Sequence, residues 1–151
     1  MCRILLLLFA FVPAITFAGL PFEVSLEDMA KQADHILVGR VVGVDMVNGQ
    51  GSVITDPEAR TGASLGNTIR LRIQIDQVLV SSASKVPDLI PVPLASHLHY
   101  TLGQIKEAHD GDMEARLVLL KGPEFVGIKP GVFFRPLTDR ELVLRLHAAS
   151  H

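Results

Sequence analysis

The sequence predicts a mainly β fold: a small antiparallel barrel of five or six strands with one short N-terminal helix. Three observations lead to this prediction. Hydrophobic segments rich in Val, Leu and Ile recur along the chain, one of them alternates strictly between apolar and polar residues, and only one segment has helical spacing. Short turns join most of these segments. A closed or nearly closed barrel removes most exposed strand edges, so it is the arrangement that best fits this set of short strands.

Length and composition narrow the function classes. A chain of 151 residues can build a real core, and 48% of its residues are hydrophobic while 5% are aromatic. A net charge of −2 gives no electrostatic reason to bind nucleic acid or an anionic membrane. The chain has no Trp and one Tyr, so stacking platforms for bases are scarce. We therefore expect no nucleic-acid partner.

The first eighteen residues have the features of a signal peptide. Arg3 provides a positive start, residues 4–17 form an apolar run, and Thr16 and Ala18 place small residues at positions −3 and −1 of a cleavage site. The alternative is an uncleaved membrane anchor, although the run is short for a hydrocarbon core of about 30 Å. The sequence predicts a signal peptide over residues 1–18.

Cleavage after Ala18 defines the expected mature protein. It is a single domain over residues 19–151, exported to the periplasm or the extracellular space, with no stable membrane insertion once the signal is removed. Cys2 is the only cysteine and leaves with the signal. The mature domain must then be held together by its core, without disulfides.

A short helix opens the mature domain. Ser25 is a favourable N-cap, and Asp28 stands three residues later, in the capping-box position. The helix is expected to end near Asp34. The apolar residues at helical spacing are Leu26, Met29, Ala30 and Ala33.

A long strand follows over residues 35–47. Its sequence is apolar on both faces and rich in Val, which is typical of a strand buried on both sides. Gly39 and Gly43 lie four residues apart, where a strand that coils around a small barrel needs bends or bulges. A polar loop over residues 48–67 comes next.

The clearest pattern lies in residues 68–80. Apolar and polar side chains alternate there, so one face is predicted to be buried and the other exposed to water, as in an antiparallel sheet. The apolar set is Ile69, Leu71, Ile73 and Ile75, and the polar set is Arg70, Arg72, Gln74 and Asp76.

Three later segments complete the predicted sheet. Residues 88–102 form the third strand, which should pair on one side only because Pro91 and Pro93 both remove a donor from the same edge. Residues 114–122 form the fourth strand. The last one or two strands come from residues 124–137, with a turn at Pro130-Gly131, and from residues 140–148.

Several of these segments together resemble a known family. An Ala-Asp step at Ala33-Asp34, a Val-Leu ending at Val78-Leu79 and the run over residues 111–120 are similar to small exported OB-like domains related in shape to the tissue inhibitors of metalloproteinases, the netrin-like module. The likeness covers residues 24–122 and implies an OB-like antiparallel barrel. Those inhibitors chelate the zinc of their target through an N-terminal cysteine, whereas the mature chain would begin at Gly19 and contain no cysteine.

His97, His99 and His109 are the candidate metal ligands. On a strand, alternation would place His97 and His99 on one face, close enough to share zinc or copper. His109, Asp110 or Asp112 from the following loop could supply the third ligand. The alternative interpretation is two surface histidines on a half-exposed strand, and no cofactor is predicted.

A hydrolase motif also occurs, in residues 62–66, where Ser64 completes G-x-S-x-G. That motif needs a strand before it and a helix after it, whereas here a loop precedes and a strand follows. The first functional hypothesis is an exported non-enzymatic module that binds an unknown protein or small ligand of the cell envelope. The alternatives are a metal-dependent or hydrolytic envelope enzyme that uses His97 and His99, and a protein similar to a protease inhibitor.

Overall fold

Residues 24–150 are described by the structure, a computed structural model, and they form an antiparallel seven-stranded sheet with three helices. The predicted signal peptide and the predicted mature terminus at Gly19 lie outside these residues. A 3-10 turn at Leu137–Asp139 precedes the last helix. The elements in chain order are α1 (Leu26–Gln32), β1 (His35–Val47), β2 (Val53–Ile54), β3 (Thr68–Ser81), β4 (Leu89–Pro93), α2 (Leu102–Ala108), β5 (Arg116–Lys121), β6 (Val126–Gly127), β7 (Phe134–Arg135) and α3 (Arg140–Ala148).

The strands are ordered β4-β3-β1-β5-β6, with β2 added to β1 and β7 added to β5. This arrangement confirms the mainly β, antiparallel prediction. The sheet curls until β4 and β6 come within 8 Å of each other between Cα atoms. These two strands do not pair, so the sheet is not closed and the predicted barrel is not confirmed.

The α1 helix confirms the predicted N-terminal helix. The Ser25 hydroxyl accepts a hydrogen bond from the Asp28 N–H at 3.0 Å, as an N-cap should. Met29 and Ala30 face the core. The helix ends at Gln32, and the chain enters β1 at His35, where the sequence period changes.

β1 is the central strand. The predicted burial on both sides holds for residues 35–39, whereas Val42 is exposed and residues 43–45 are only half-buried. Leu37 and Val41 pack into one hydrophobic cluster, whereas Ile36 and Val38 pack into another that α1 and α3 cover. The ladder between β1 and β3 shifts register before Gly39 and before Gly43, so both glycines mark the expected irregularities.

β3 confirms the alternating pattern. Ile69, Leu71 and Ile73 are almost fully buried, whereas Arg72 is exposed. β4 pairs with β3 alone, as its two prolines predicted.

The third strand is shorter than predicted, and the prediction for its second half is wrong. β4 ends at Pro93, and residues 96–97 lie in a turn that is followed by a bend at Leu98. The chain turns here into a helix, α2, in a segment that was predicted to be a loop. A capping box starts this helix: the Thr101 side chain accepts a hydrogen bond from the Gln104 N–H, and the Gln104 side chain accepts one from the Thr101 N–H. Leu102 anchors this helix in the core.

The prediction of a strand over residues 140–148 is also wrong, because this segment forms α3. Val143 is fully buried, whereas Leu142 beside it is 39% exposed. α3 packs against α1, and the His147 Nδ1 atom donates a hydrogen bond to the Ala30 carbonyl at 3.0 Å. The structure has seven strands where five or six were predicted. Three of the seven, β2, β6 and β7, contain only two residues each.

Candidate functional site

One edge of β1 is left open in its middle. β3 pairs with β1 along one side from His35 to Val47. On the other side β5 pairs with residues 35–39 and β2 pairs with residues 46–47. Within residues 24–150, no strand pairs with residues 40–45 on that side. The centre of the sheet therefore presents a short unpaired strand edge.

A cleft of about 380 Å³ lies against this edge. Residues 41–44 form one wall, and Lys106 of α2 with residues 109–113 forms the other. We call this cleft the β1 cleft. Two of its apolar side chains face solvent, because Val42 is 48% exposed and Met113 is 61% exposed. The β1 cleft thus combines a strand edge with an apolar surface.

The loop that forms the far wall is held by an ion pair. Arg116 of β5 donates two hydrogen bonds to Asp112, at 2.8 and 3.1 Å, and a third to Glu114 at 2.9 Å. Its guanidinium also lies 5.5 Å from the centre of the Phe134 ring. These contacts fix residues 112–116 against the sheet.

This ion pair also sets the charge of the cleft. The hydrogen bonds from Arg116 hold the pKa of the Asp112 carboxyl below its ordinary value, and burial opposes them. His109 Nδ1 lies 3.4 Å from the same carboxylate, and its hydrogen bond lowers this pKa further. Hydrogen bonding to Asp112 raises the pKa of Arg116. Asp112 therefore stays ionised and is already paired.

The structure does not bring the three candidate histidines together. His97 lines a different cleft, between β4 and β6, and the His99 imidazole lies against Gly62. His109 lines the β1 cleft. In the part of the chain that the structure describes, no three His, Cys, Asp or Glu side chains are grouped so that they could hold a metal ion. The two imidazoles of the H-x-H segment lie in or beside a turn, so strand alternation does not apply to them.

Ser64 lies in an exposed turn, and β3 follows it. This is the reverse of the strand-turn-helix context that a nucleophile elbow requires. The structure agrees with the interpretation of a loop of small residues.

The open edge of β1 was missed in the sequence. Residues 35–47 were correctly predicted to be a strand, but a strand sequence does not show how far each neighbour extends beside it. The short length of the β5 segment and the mostly polar residues 109–113 before it were the only available signal.

Among residues 24–150, no helix is both long enough and apolar enough to cross a membrane. No protein-family model, curated protein or solved structure matches the chain.

Proposed function

We propose that this protein is an exported, non-enzymatic binding module of the cell envelope, and that it recognises an extended segment of a partner protein at the β1 cleft. The observation that carries the proposal is the unpaired edge of residues 40–45 beside exposed apolar side chains. An open strand edge is a template for another strand, and many recognition domains bind peptides by adding a strand.

The main chain of β1 supplies hydrogen bonds that do not depend on the sequence of the bound segment. Residues 40–45 span about 20 Å as an extended strand, and the N–H and C=O groups that do not bond to β3 are directed toward the open side. Each hydrogen bond to an added strand contributes about 0.5–1.5 kcal/mol net. Several such bonds position a peptide without reading its sequence.

The side chains supply the selective part. Val42 and Met113 offer apolar contact, so an apolar side chain of the bound segment is expected between them. Lys106 and Asp110 also line the cleft, and neither forms an ion pair within the described residues. Their opposite charges give the cleft little net charge. Binding should therefore depend only weakly on salt.

The matching fold proposal is an OB-like barrel, in agreement with the resemblance to the netrin-like module. Its support is the approach of β4 to β6 and the three register shifts in the ladder between β1 and β3. The inhibition of metalloproteinases is not proposed, because Cys2 is the only cysteine and precedes the apolar run. A histidine-centred enzyme is not proposed because His97 and His99 do not join an acid in one cleft.

Export is part of the proposal and has its own test. The support is the apolar run between Arg3 and Ala18. N-terminal sequencing of the protein from its producing cells should return Gly19 as the first residue, on material found outside the cytoplasm. A cytoplasmic protein that begins at Met1 would contradict export.

The binding function is tested with two matched variants. Val42 and Val78 are both strand valines with nearly equal exposure, 48% and 47%, but only Val42 lines the β1 cleft. The mature chain and the variants Val42→Arg and Val78→Arg are used as baits on an envelope fraction. A partner should be retained by the parent chain and by Val78→Arg and lost by Val42→Arg.

Two results count against this function. Equal retention by both variants would move the binding surface away from the β1 cleft. A small molecule that co-purifies in place of a protein, and that still binds the Val42→Arg variant, would contradict peptide recognition.

A further inference from the structure

A second cleft lies where the curled sheet fails to close. β4 and β6 approach each other without pairing, and the space between them is a cleft of about 390 Å³. We call it the seam cleft. Its lining residues are Thr68, Pro93, Leu94, Ser96, His97, Lys121, Val126, Gly127, Ile128 and Pro130.

The seam stays open because two prolines of β4 lack the N–H groups that pairing with β6 would require. The Leu94 N–H bonds back to the Ile69 carbonyl of β3, so alternate residues Pro91 and Pro93 direct their nitrogens to the other edge of β4. Proline has no N–H to donate. This edge faces β6 and lacks the donors that a ladder needs, which leaves room for a ligand where a closed barrel would have hydrogen bonds.

The polar side chains of the seam cleft share two properties. Thr68, Ser96, His97 and Lys121 can all donate hydrogen bonds, and none of them forms a side-chain hydrogen bond or ion pair within residues 24–150. Among the residues that the structure describes, no Asp or Glu lines the cleft. The site is therefore rich in donors, carries the positive charge of Lys121, and has no carboxylate to compete for it.

The remaining walls are apolar. Leu94 and Val126 with two prolines provide apolar surface next to these donors, and the buried Ile128 lies behind them. A volume of about 390 Å³ falls within the range of small-molecule sites, which are mostly apolar with a few polar groups that set orientation.

We propose that the seam cleft binds a small organic carboxylate with an apolar body. The carboxylate would lie against Lys121 and the hydroxyl and imidazole donors of the cleft, and the apolar body would lie along Leu94 and Val126. Complementary charge selects the anion, and burial of apolar area adds affinity. This site is separate from the β1 cleft, and neither depends on the other.

The test uses three probes with the same apolar body. 4-Phenylbutyrate, 4-phenylbutan-1-ol and 4-phenylbutylamine are titrated into the isotope-labelled mature chain, and amide chemical shifts are followed by NMR at neutral pH. The carboxylate should bind most tightly, and its shifts should map to the ends of β4 and β6. Lys121→Gln should weaken carboxylate binding by about fivefold to tenfold, because it removes a charge-assisted hydrogen bond.

Matched variants keep this test decisive. Lys106→Gln removes a lysine from the β1 cleft and should leave carboxylate binding unchanged. His97→Gln changes a second donor of the seam cleft, and this exposed residue can be replaced without disturbing the core. This variant should also weaken carboxylate binding, so the proposal can be tested even if Lys121→Gln does not fold. Equal binding of all three probes, shifts that map elsewhere, or equal effects of Lys106→Gln and Lys121→Gln would each overturn the proposal.

Discussion

Two adjacent residues tie the start of β1 to the turn after β5. The Asp34 carboxylate accepts a hydrogen bond from the Gly122 N–H at 2.7 Å, and His35 Nε2 donates to the Gly122 carbonyl at 3.0 Å. The His35 ring also lies 4.4 Å from the Phe125 ring between centroids and is almost fully buried. Gly122 has a φ of +70°, so this turn favours glycine. The Ala-Asp-His step therefore has a structural role.

Replacement of Gly39 and of Gly43 by alanine should affect the stability of the protein differently. A Cβ at Gly39 would lie 2.7 Å from the Gln74 carbonyl oxygen, whereas at Gly43 the nearest atom is an Arg72 side-chain carbon at 3.9 Å. Gly39→Ala should lower the free energy of unfolding by about 1–3 kcal/mol. Gly43→Ala should leave it unchanged or raise it by up to about 1 kcal/mol. Urea unfolding of both variants measures the difference, and equal losses would contradict the close approach at Gly39.

Asp112 gives a pH-dependent prediction. Its folded-state pKa is lowered by Arg116, so the ionised form stabilises the fold, and this contribution is complete above the ordinary value of 3.8. The contribution is lost as the pH falls through the lowered pKa. The Asp112→Asn variant should be less stable than the parent chain at pH 7, and the gap should narrow as the pH falls below 3.8. Thermal melts across this range check the sign, and a gap that widens in acid would contradict the ion pair.

At the scale of elements, the strands with clear periods were predictable and the segments defined by distant contacts were not. β1 and β3 have sequence patterns that specify both their extent and their faces. Residues 97–99, the H-x-H segment, have the alternation of a strand. The Thr61 N–H donates a hydrogen bond to the Tyr100 carbonyl at 2.9 Å, and this distant contact holds the segment out of the sheet. α3 forms because it packs on α1, which a nine-residue pattern cannot reveal.

The candidate site was less accessible from the sequence than the fold. The β1 cleft depends on where β5 and β2 stop beside β1, and strand ends are set by tertiary packing. The seam cleft was only partly foreseeable. Pro91 and Pro93 predicted an edge that pairs on one side, but not that β6 would come to lie opposite it.

Neighbouring residues of β3 should differ sharply in their tolerance of a charge. Ile73 is fully buried and Arg72 is exposed. Ile73→Asp buries an unpaired carboxylate at a cost of several kcal/mol, which is comparable with the whole stability of a domain. We expect this variant to be unfolded and Arg72→Asp to melt near the parent chain. Circular dichroism melts decide between them, and two similar curves would refute the assignment of faces.

At the scale of the whole molecule, the described chain curls one sheet around a hydrophobic cluster, and α1 and α3 cover its other face. The sheet is incomplete at the edge of β1 and at the seam between β4 and β6. Both gaps carry apolar surface with polar groups beside it. These two openings are the features on which the proposed binding role rests.

The metal content of the mature chain is predicted at this scale. A structural zinc site usually has four protein ligands and a catalytic one usually three, and His97, His99 and His109 do not gather into such a set among residues 24–150. Protein purified without an affinity tag should contain no stoichiometric zinc or copper, and EDTA should leave its Tm unchanged. One equivalent of metal that disappears in His97→Ala would support the metalloenzyme alternative.

The most direct test of the central claim is backbone hydrogen exchange of the mature chain, free and in complex with the partner retained by the Val78→Arg bait. In the free protein, amides on the open side of residues 40–45 should exchange quickly, whereas amides bonded to β3 should be protected. The complex should protect the open-side amides strongly and leave the exchange of the turn at residues 96–97 unchanged. Unchanged exchange across residues 40–45 in a saturated complex would contradict strand addition at β1.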